Sequence, residues 1–384
     1  MEKEKLKEIV ENTISGEWGT EEKKDENDIF VIRTADFFND GRINYNNVIK
    51  RNIAKRKIEE KSLKIGDIIV EKSGGTDKNP VGRVVLFERE NYKGLANNFT
   101  QVLRIKKEYY YKFIFYQLLY KYKNGSTLQM FNKTTGIQNL QMKLYLNQEL
   151  NVCDKKEQIK ISNLLDKVQE IIDISEKQVE HLDELIKSQF VEMFGNPIQN
   201  DKKWDTDLIN NVAPSQNYKG SFEDKVWLLN LDMVESNSGR IIGYVYENIN
   251  NIGNSTCTFN EENILYSKLR PYLNKVVIPS QKGYATSELV PLKPNKDKLN
   301  RYFLAYLLRS EQFVQYISEK VAGAKMPRVS MDMFRKFNLI LPPIELQNKF
   351  AEFVKQIDKQ KFEIQKSLNE MKELQESLMN KYFG

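Results

Sequence analysis

The side chains that most often carry catalysis are scarce in this 384-residue chain, which has one histidine, His181, and two cysteines, Cys153 and Cys257, far apart in sequence. That inventory excludes a Cys/His zinc cluster and a histidine-based triad, gives no disulfide framework, and leads us to expect no bound metal. Neither a Gly-x-x-x-x-Gly-Lys-Ser/Thr loop nor a Gly-x-Gly-x-x-Gly fingerprint is present to cradle nucleotide phosphates. Ser73-Gly74-Gly75-Thr76 is glycine-rich but too short and wrongly followed, and it reads as a turn. Asn196-Pro197-Ile198-Gln199 begins like the Asn-Pro-Pro-aromatic motif of amino-methyltransferases, yet it lacks the second proline and the aromatic and directly follows Gly195. It reads as a helix stop. What remains is binding chemistry in polar, basic loops. In the second half these are Lys268, Arg270 and Tyr272 after one strand, and Lys325 and Arg328 before a return to helix. The comparable places in the first half are Lys72, Ser73, Gly74, Thr76 and Arg83, with Lys133 and Thr135. An arginine bonds two acceptors on a guanine edge, while lysine, serine and threonine hold phosphates or bases. Any single one of them is equally read as part of an ordinary surface loop.

Such loops need a frame, and the strongest pattern in the chain supplies it. Ile161, Leu165, Val168, Ile172, Ser175, Val179, Leu182, Ile186, Gln189 and Met193 follow in alternating steps of four and three, eight of the ten apolar. A seam repeating every 3.5 residues runs down one side of a helix and requires a partner helix. Advancing by 189 residues gives Phe350, Val354, Ile357, Lys361, Ile364, Leu368, Met371, Gln375, Leu378 and Tyr382, again eight of ten. Residues 188–195 and 377–384 also share their Ser, Phe and Gly. Duplication is the simplest account. It predicts an internal pseudo-twofold repeat and two long helices packed as an antiparallel coiled coil. The expected interface is Ile172, Val179, Leu182, Ile186 and Met193 against Ile357, Ile364, Leu368, Met371 and Leu378. The polar exceptions select a register: if paired numbers sum to 550, Gln375 meets Ser175 and Lys361 meets Gln189. Sliding one heptad, to 543, sets both against apolar residues, at about 1–3 kcal/mol for each unpartnered group. Snorkelling of Lys361 weakens that preference without reversing it.

At 384 residues the chain exceeds one compact core. The repeat divides it into a globular region over 1–152, a long helix over 153–196, a second globular region over 197–342 and a second helix over 343–384. No apolar run approaches the roughly 20 residues of a membrane span. The opening Met1-Glu2-Lys3-Glu4-Lys5 is no signal peptide, so a cytoplasmic protein is expected. The net charge of +6 permits a nucleic-acid partner and is equally a solvated, lysine-rich surface. In the first region, residues 6–12 read as a short opening helix, 28–33, 66–70 and 82–87 as strands, and 109–122 as an aromatic-rich helix. In the second, strands over 226–230, 263–266 and 275–278 and a helix over 302–308 repeat that order. Gly239-Arg240-Ile241 echoes Gly41-Arg42-Ile43. Both regions are read as mixed α+β domains. Identity between the halves is concentrated in the helices, which implies a kept scaffold carrying two surfaces free to differ.

The chain resembles the specificity subunit of type I restriction-modification enzymes, whose pattern is a target-recognition domain, a long helix, a second recognition domain and a second helix. Leu341-Pro342-Pro343-Ile344-Glu345-Leu346-Gln347 is similar to that family's Leu-Pro-Pro-x-Glu-x-Gln lead into its helix. The Phe-Gly endings and the duplicated layout extend the resemblance over essentially the whole chain. The first helix departs from it, being reached through Val152-Cys153-Asp154-Lys155-Lys156-Glu157-Gln158 with no prolines and only the Glu-Gln kept. The resemblance implies a non-catalytic subunit that binds a bipartite double-stranded DNA target, each domain reading one half-site. It further implies two modification (methyltransferase) subunits and, in the full complex, two restriction subunits as partners. Adenine methylation with S-adenosylmethionine, and cleavage with ATP and magnesium, would belong to those partners, with no cofactor bound by this chain. Ile161 to Met193 spans about 50 Å at about 1.5 Å per residue, enough to hold two readers over one DNA turn apart. A coiled-coil scaffold for proteins alone explains the helices equally well but leaves two elaborate α+β domains without a purpose.

Overall fold

The computed structural model describes every residue except Met1, Thr135, Ala322 and Ala324. The chain divides into two compact units, Met1–Ile174 with Ser367–Gly384, and Ser175–Lys366. Each unit holds one α+β globular part and a stretch of both long helices, Lys155–Phe194 and Ile344–Phe383, of 40 residues each. No helix among the described residues is long and apolar enough to cross a membrane.

In the first unit the main sheet runs in the order Val10–Ser15, Thr100–Ile105, Ile68–Glu71, Val84–Leu86, with antiparallel neighbours. Successive strand residues point to opposite faces. Ile68 and Val70 therefore join the core formed with Phe113, Ile114 and Leu118 of the helix Tyr111–Lys123. Ile69 faces the other way, into a core with Ile32, Val85 and Val102. The strand is buried on both faces, which is why it reads as an unbroken β-branched run. The opening differs from expectation. One helical turn, Leu6–Ile9, gives way to the strand Val10–Ser15, because Val10, Thr13 and Ile14 find a partner strand in Thr100–Ile105. Pairing across the sheet outweighs the local helical pattern.

The second unit is built alike. Ile264 and Tyr266 join a core with Phe303 and Leu304 of the helix Arg301–Arg309, while Leu265 faces Trp227 and Val277. In each unit a short strand pair precedes a long helix: Glu2–Lys5 with Glu149–Val152, and Asp205–Leu208 with Asn338–Leu341.

Two glutamines clamp the helix starts. Gln158 Nε2 donates to Cys153 O at 2.7 Å, and its Oε1 accepts from Tyr110 N at 2.8 Å. Gln347 Nε2 donates to Pro342 O at 2.7 Å, and its Oε1 accepts from Asn300 N at 2.9 Å. Both side chains are fully buried and tie the long helix to the start of the domain helix. The first helix thus attains without prolines the geometry that the second attains with them. The helix ends are equally matched. Phe194 meets the Phe303 ring edge-on at 4.7 Å, and Phe383 meets Phe113 at 5.3 Å.

The Gly-Arg-Ile echo braces each domain on a long helix. Arg42 Nη1 donates to Asp173 Oδ2 at 2.8 Å, and Arg240 Nη1 to Gln365 Oε1 at 3.4 Å. Both glycines have positive φ, 92° at Gly41 and 66° at Gly239. A Cβ would lie 2.4 Å from the Phe115 ring in one and 1.8 Å from Val276 O in the other.

Along the seam, Ile172, Ile186, Ile357 and Leu368 are buried, while Val179, Leu182, Met193, Ile364, Met371 and Leu378 are half-buried. The helices run antiparallel. The register expected from the polar exceptions is not the one adopted. Gln375 Nε2 donates to Gln169 Oε1 at 2.8 Å, and Lys361 Nζ bonds Asp183 Oδ1. Both contacts displace the pairing by about one heptad, toward the 543 alternative. Each polar group leaves the half-open seam sideways to a flanking acceptor, so the cost of an unpartnered buried group, which would have favoured the 550 register, never arises.

Candidate nucleic-acid interface

In the second domain the strand Ile264–Ser267 runs out into Lys268 and Leu269. Arg270 then takes a left-handed conformation, φ 49°, ahead of the short 3-10 turn Pro271–Leu273. The segment reaching back from the other sequence loop closes on it. Leu269 bridges Arg328, Arg270 N donates to Pro327 O at 2.7 Å, and Val329 N donates to Lys268 O at 2.8 Å. The two loops singled out in the sequence therefore form one clasp. Lys325, Met326, Tyr272 and the Arg270 side chain are exposed on it. Arg270 has no side-chain hydrogen bond or ion pair among the described residues. Arg328 is exposed but engaged, with Nη2 2.5 Å from Glu288 Oε1.

The first domain brings its two candidate loops together in the same way. Ser73–Gly74 pairs with the strand Ile137–Leu140, which itself pairs with Phe131–Thr134. Ser73 Oγ donates to Asn139 Oδ1 at 2.7 Å, and Leu140 N donates to Lys72 O at 2.8 Å. Thr76 forms a tight turn, its Oγ1 accepting from Asn79 N at 3.0 Å. Lys133 lies on the hairpin, paired with Asp77 at 2.8 Å. Thr135 lies outside the described residues. Burial, with the nearby Lys61 ammonium adding to it, lowers the Lys72 pKa below the ordinary lysine value.

One candidate is misplaced. Arg83 points inward, its Nε 2.7 Å from Glu71 Oε2 and its Nη2 donating to Thr34 O at 3.0 Å. Its side chain is 13% exposed and that of Glu71 2%. Burial holds the Glu71 carboxyl above its ordinary value even against the attraction of Arg83. This guanidinium neutralises a core carboxylate and is not available to a base. Sequence reasoning also missed Glu288, whose only signal is its place in a turn after the strand Gly283–Thr286. Asn139 was missed too, because its partner Ser73 lies 66 residues away.

Among the described residues no group of three or more His, Cys, Asp or Glu is placed to hold a metal ion. Asn196 Oδ1 accepts from Ile198 N at 2.9 Å and Gln199 N at 3.1 Å, so the Asn196-Pro197 stretch is a turn closing the helix.

Two α+β domains, each carrying a clasp of paired loops and each built onto a pair of antiparallel helices, define a duplicated, helix-braced two-domain protein. The chain belongs to the type I restriction modification DNA specificity domain family, whose pattern matches residues 1–184 and 230–374. It is 24% identical over 136 residues to the type I restriction enzyme EcoDI specificity subunit of Escherichia coli, 35% of this chain and 30% of that protein. It is also 24% identical over 279 residues to the MjaVIII specificity subunit of Methanocaldococcus jannaschii, 64% of this chain and 63% of that one. The matches thus span less than two thirds of either relative. Among solved structures, the type I restriction-modification S subunit from M. genitalium superposes with a TM-score of 0.62 at 15% identity, covering 100% of this chain and 96% of that one. A chain from a study of type I system assembly and conformational transition gives 0.55 at 14% identity, covering 100% and 97%. At those identities the likeness is one of fold.

Proposed function

We propose that this chain is the sequence-reading subunit of a type I restriction-modification system, binding a bipartite double-stranded DNA target with one half-site per domain. The observation that supports it is the clasp. In each domain the loop after a buried strand meets the segment that leads back to the long helix, although the two are far apart in sequence. In the second domain that clasp presents Lys268, Arg270, Lys325 and Arg328 beside Tyr272, the residue types that hold phosphates and base edges. The divergence of the two clasps fits half-sites of different sequence.

The long helices are read as the scaffold for two modification subunits and, in the full complex, two restriction subunits. S-adenosylmethionine, ATP and magnesium are assigned to those partners, and this chain is assigned no catalytic step. Titration of the chain with a modification subunit against a library of duplexes tests the reading. Tight binding to one sequence in two separated blocks is the expected result. Association of the subunits with no preference among duplexes would instead favour a coiled-coil scaffold that does not read DNA.

A further inference from the structure

The two exposed arginines of the second clasp are held differently. Arg328 Nη2 donates to Glu288 Oε1 at 2.5 Å, with side-chain exposures of 56% and 18%. Both ends of this pair are fixed by main chain, since Glu288 O accepts from Lys268 N at 3.0 Å and Arg328 bridges Leu269. The second carboxylate oxygen of Glu288 is buried without a hydrogen-bond partner. A buried carboxylate oxygen without a partner costs the fold free energy. Glu288 ties one corner of a guanidinium that is exposed and has no other side-chain hydrogen bond or ion pair among the described residues. Arg270 has its backbone N–H bonded to Pro327 O at 2.7 Å, yet its side chain has no hydrogen-bond or ion-pair partner among the described residues.

We infer that Glu288 is a positioning residue for sequence readout: it presents Arg328 as a fixed fork to a guanine edge, while Arg270 takes a backbone phosphate. The inference rests on the DNA-reading function proposed above. The physical basis is that a planar fork, oriented beforehand, loses less freedom when it makes two parallel bonds to O6 and N7. An unrestrained arginine contributes charge wherever phosphate is near and carries little sequence information.

The test uses the full chain with its modification subunit and a duplex library varied one position at a time, at several salt concentrations. Glu288→Gln and Arg328→Lys are each expected to relax the same single position of the second half-site, by about 5- to 150-fold, the range for losing a bidentate contact. Preferences at other positions and at the first half-site should stay unchanged, which also reports that the domain is folded. Arg270→Ala should weaken all sequences alike and reduce the salt slope by about one. Unchanged preferences in Glu288→Gln would overturn the inference, as would loss of the whole second half-site, which marks a merely structural carboxylate. Relaxed preference at one position in Arg270→Ala would overturn the division of labour. If the unaltered complex discriminates among no duplexes, the DNA-reading function falls as well, so the two failures are distinguishable.

Discussion

Arg83 and Arg328 carry the same fork of donors, and their surroundings send them to opposite uses. Arg83 neutralises Glu71 in the core of the first domain, and Arg328 stands at the surface with one corner tied. Removing one partner of a buried ion pair leaves an uncompensated charge, so Arg83→Ala is expected to cost about 3–5 kcal/mol of unfolding free energy. Urea denaturation measures that, and duplex selection by whatever protein remains folded should show the first half-site unaltered. A relaxed half-site with normal stability would return Arg83 to the reading surface. Cys257 gives a second residue-scale expectation. Its thiol is buried, donates to Leu289 O at 3.1 Å, and is pushed up to about 11 by burial. Thiolate is the reactive form and its fraction rises with pH. Near pH 8 only about a thousandth of a thiol with that value is ionised. Iodoacetamide should therefore spare Cys257 in the folded protein and modify it after unfolding, as mass spectrometry can resolve; rapid labelling of the folded chain would refute the burial.

At the scale of elements, the long helices show what a heptad pattern specifies and what it leaves open. The pattern demands that apolar positions be covered, and several registers meet that demand. The choice is made by flanking groups: Gln169 for Gln375 and Asp183 for Lys361. A double-mutant cycle on Gln169 and Gln375 should give a coupling of about 0.5–1.5 kcal/mol, and one on the half-exposed Asp183 and Lys361 about 0.2–1 kcal/mol. A cycle on Gln189 and Lys361 should give none, and coupling there instead would restore the register first expected. The helix ends are more strongly determined. Phe383 is buried against Phe113, and Phe194 against Phe303 and Phe350, so each closes a domain core. Phe→Ala at either site is expected to cost about 3–5 kcal/mol. Thermal melts showing less than about 1 kcal/mol would mean that the Phe-Gly endings are dispensable.

At the scale of the whole molecule, each unit repeats one construction. A strand pair leads into a long helix, a buried glutamine fixes that helix to the domain, and a terminal phenylalanine of the other long helix fills the core. Such a chain has a reason to keep its helices and to let its clasps vary. The purified chain is expected to show no methylation, nuclease or ATPase turnover until partner subunits are added; turnover abolished by a point substitution in this chain would contradict that. The duplication and the long antiparallel helices were legible from residues alone, because a seam repeats its imprint every 3.5 positions, and the central strands were legible as β-branched runs, whereas the strand pairs that lead into the long helices were not. Arg270, Lys325 and Thr76 were legible as loop residues from their polar and basic surroundings, whereas Ser73, Gly74 and Lys133, expected in a turn and a loop, lie on short paired strands. That Ser73 meets Asn139, or Leu269 meets Arg328, was decided only when the sheets closed, since a contact between distant segments leaves no local pattern in either. The same holds for side-chain direction: nothing in its sequence neighbours distinguishes an arginine that will neutralise Glu71 from one that Glu288 will hold toward solvent. Periodicity is a property of the chain, whereas partner choice is a competition among all groups the fold brings within reach.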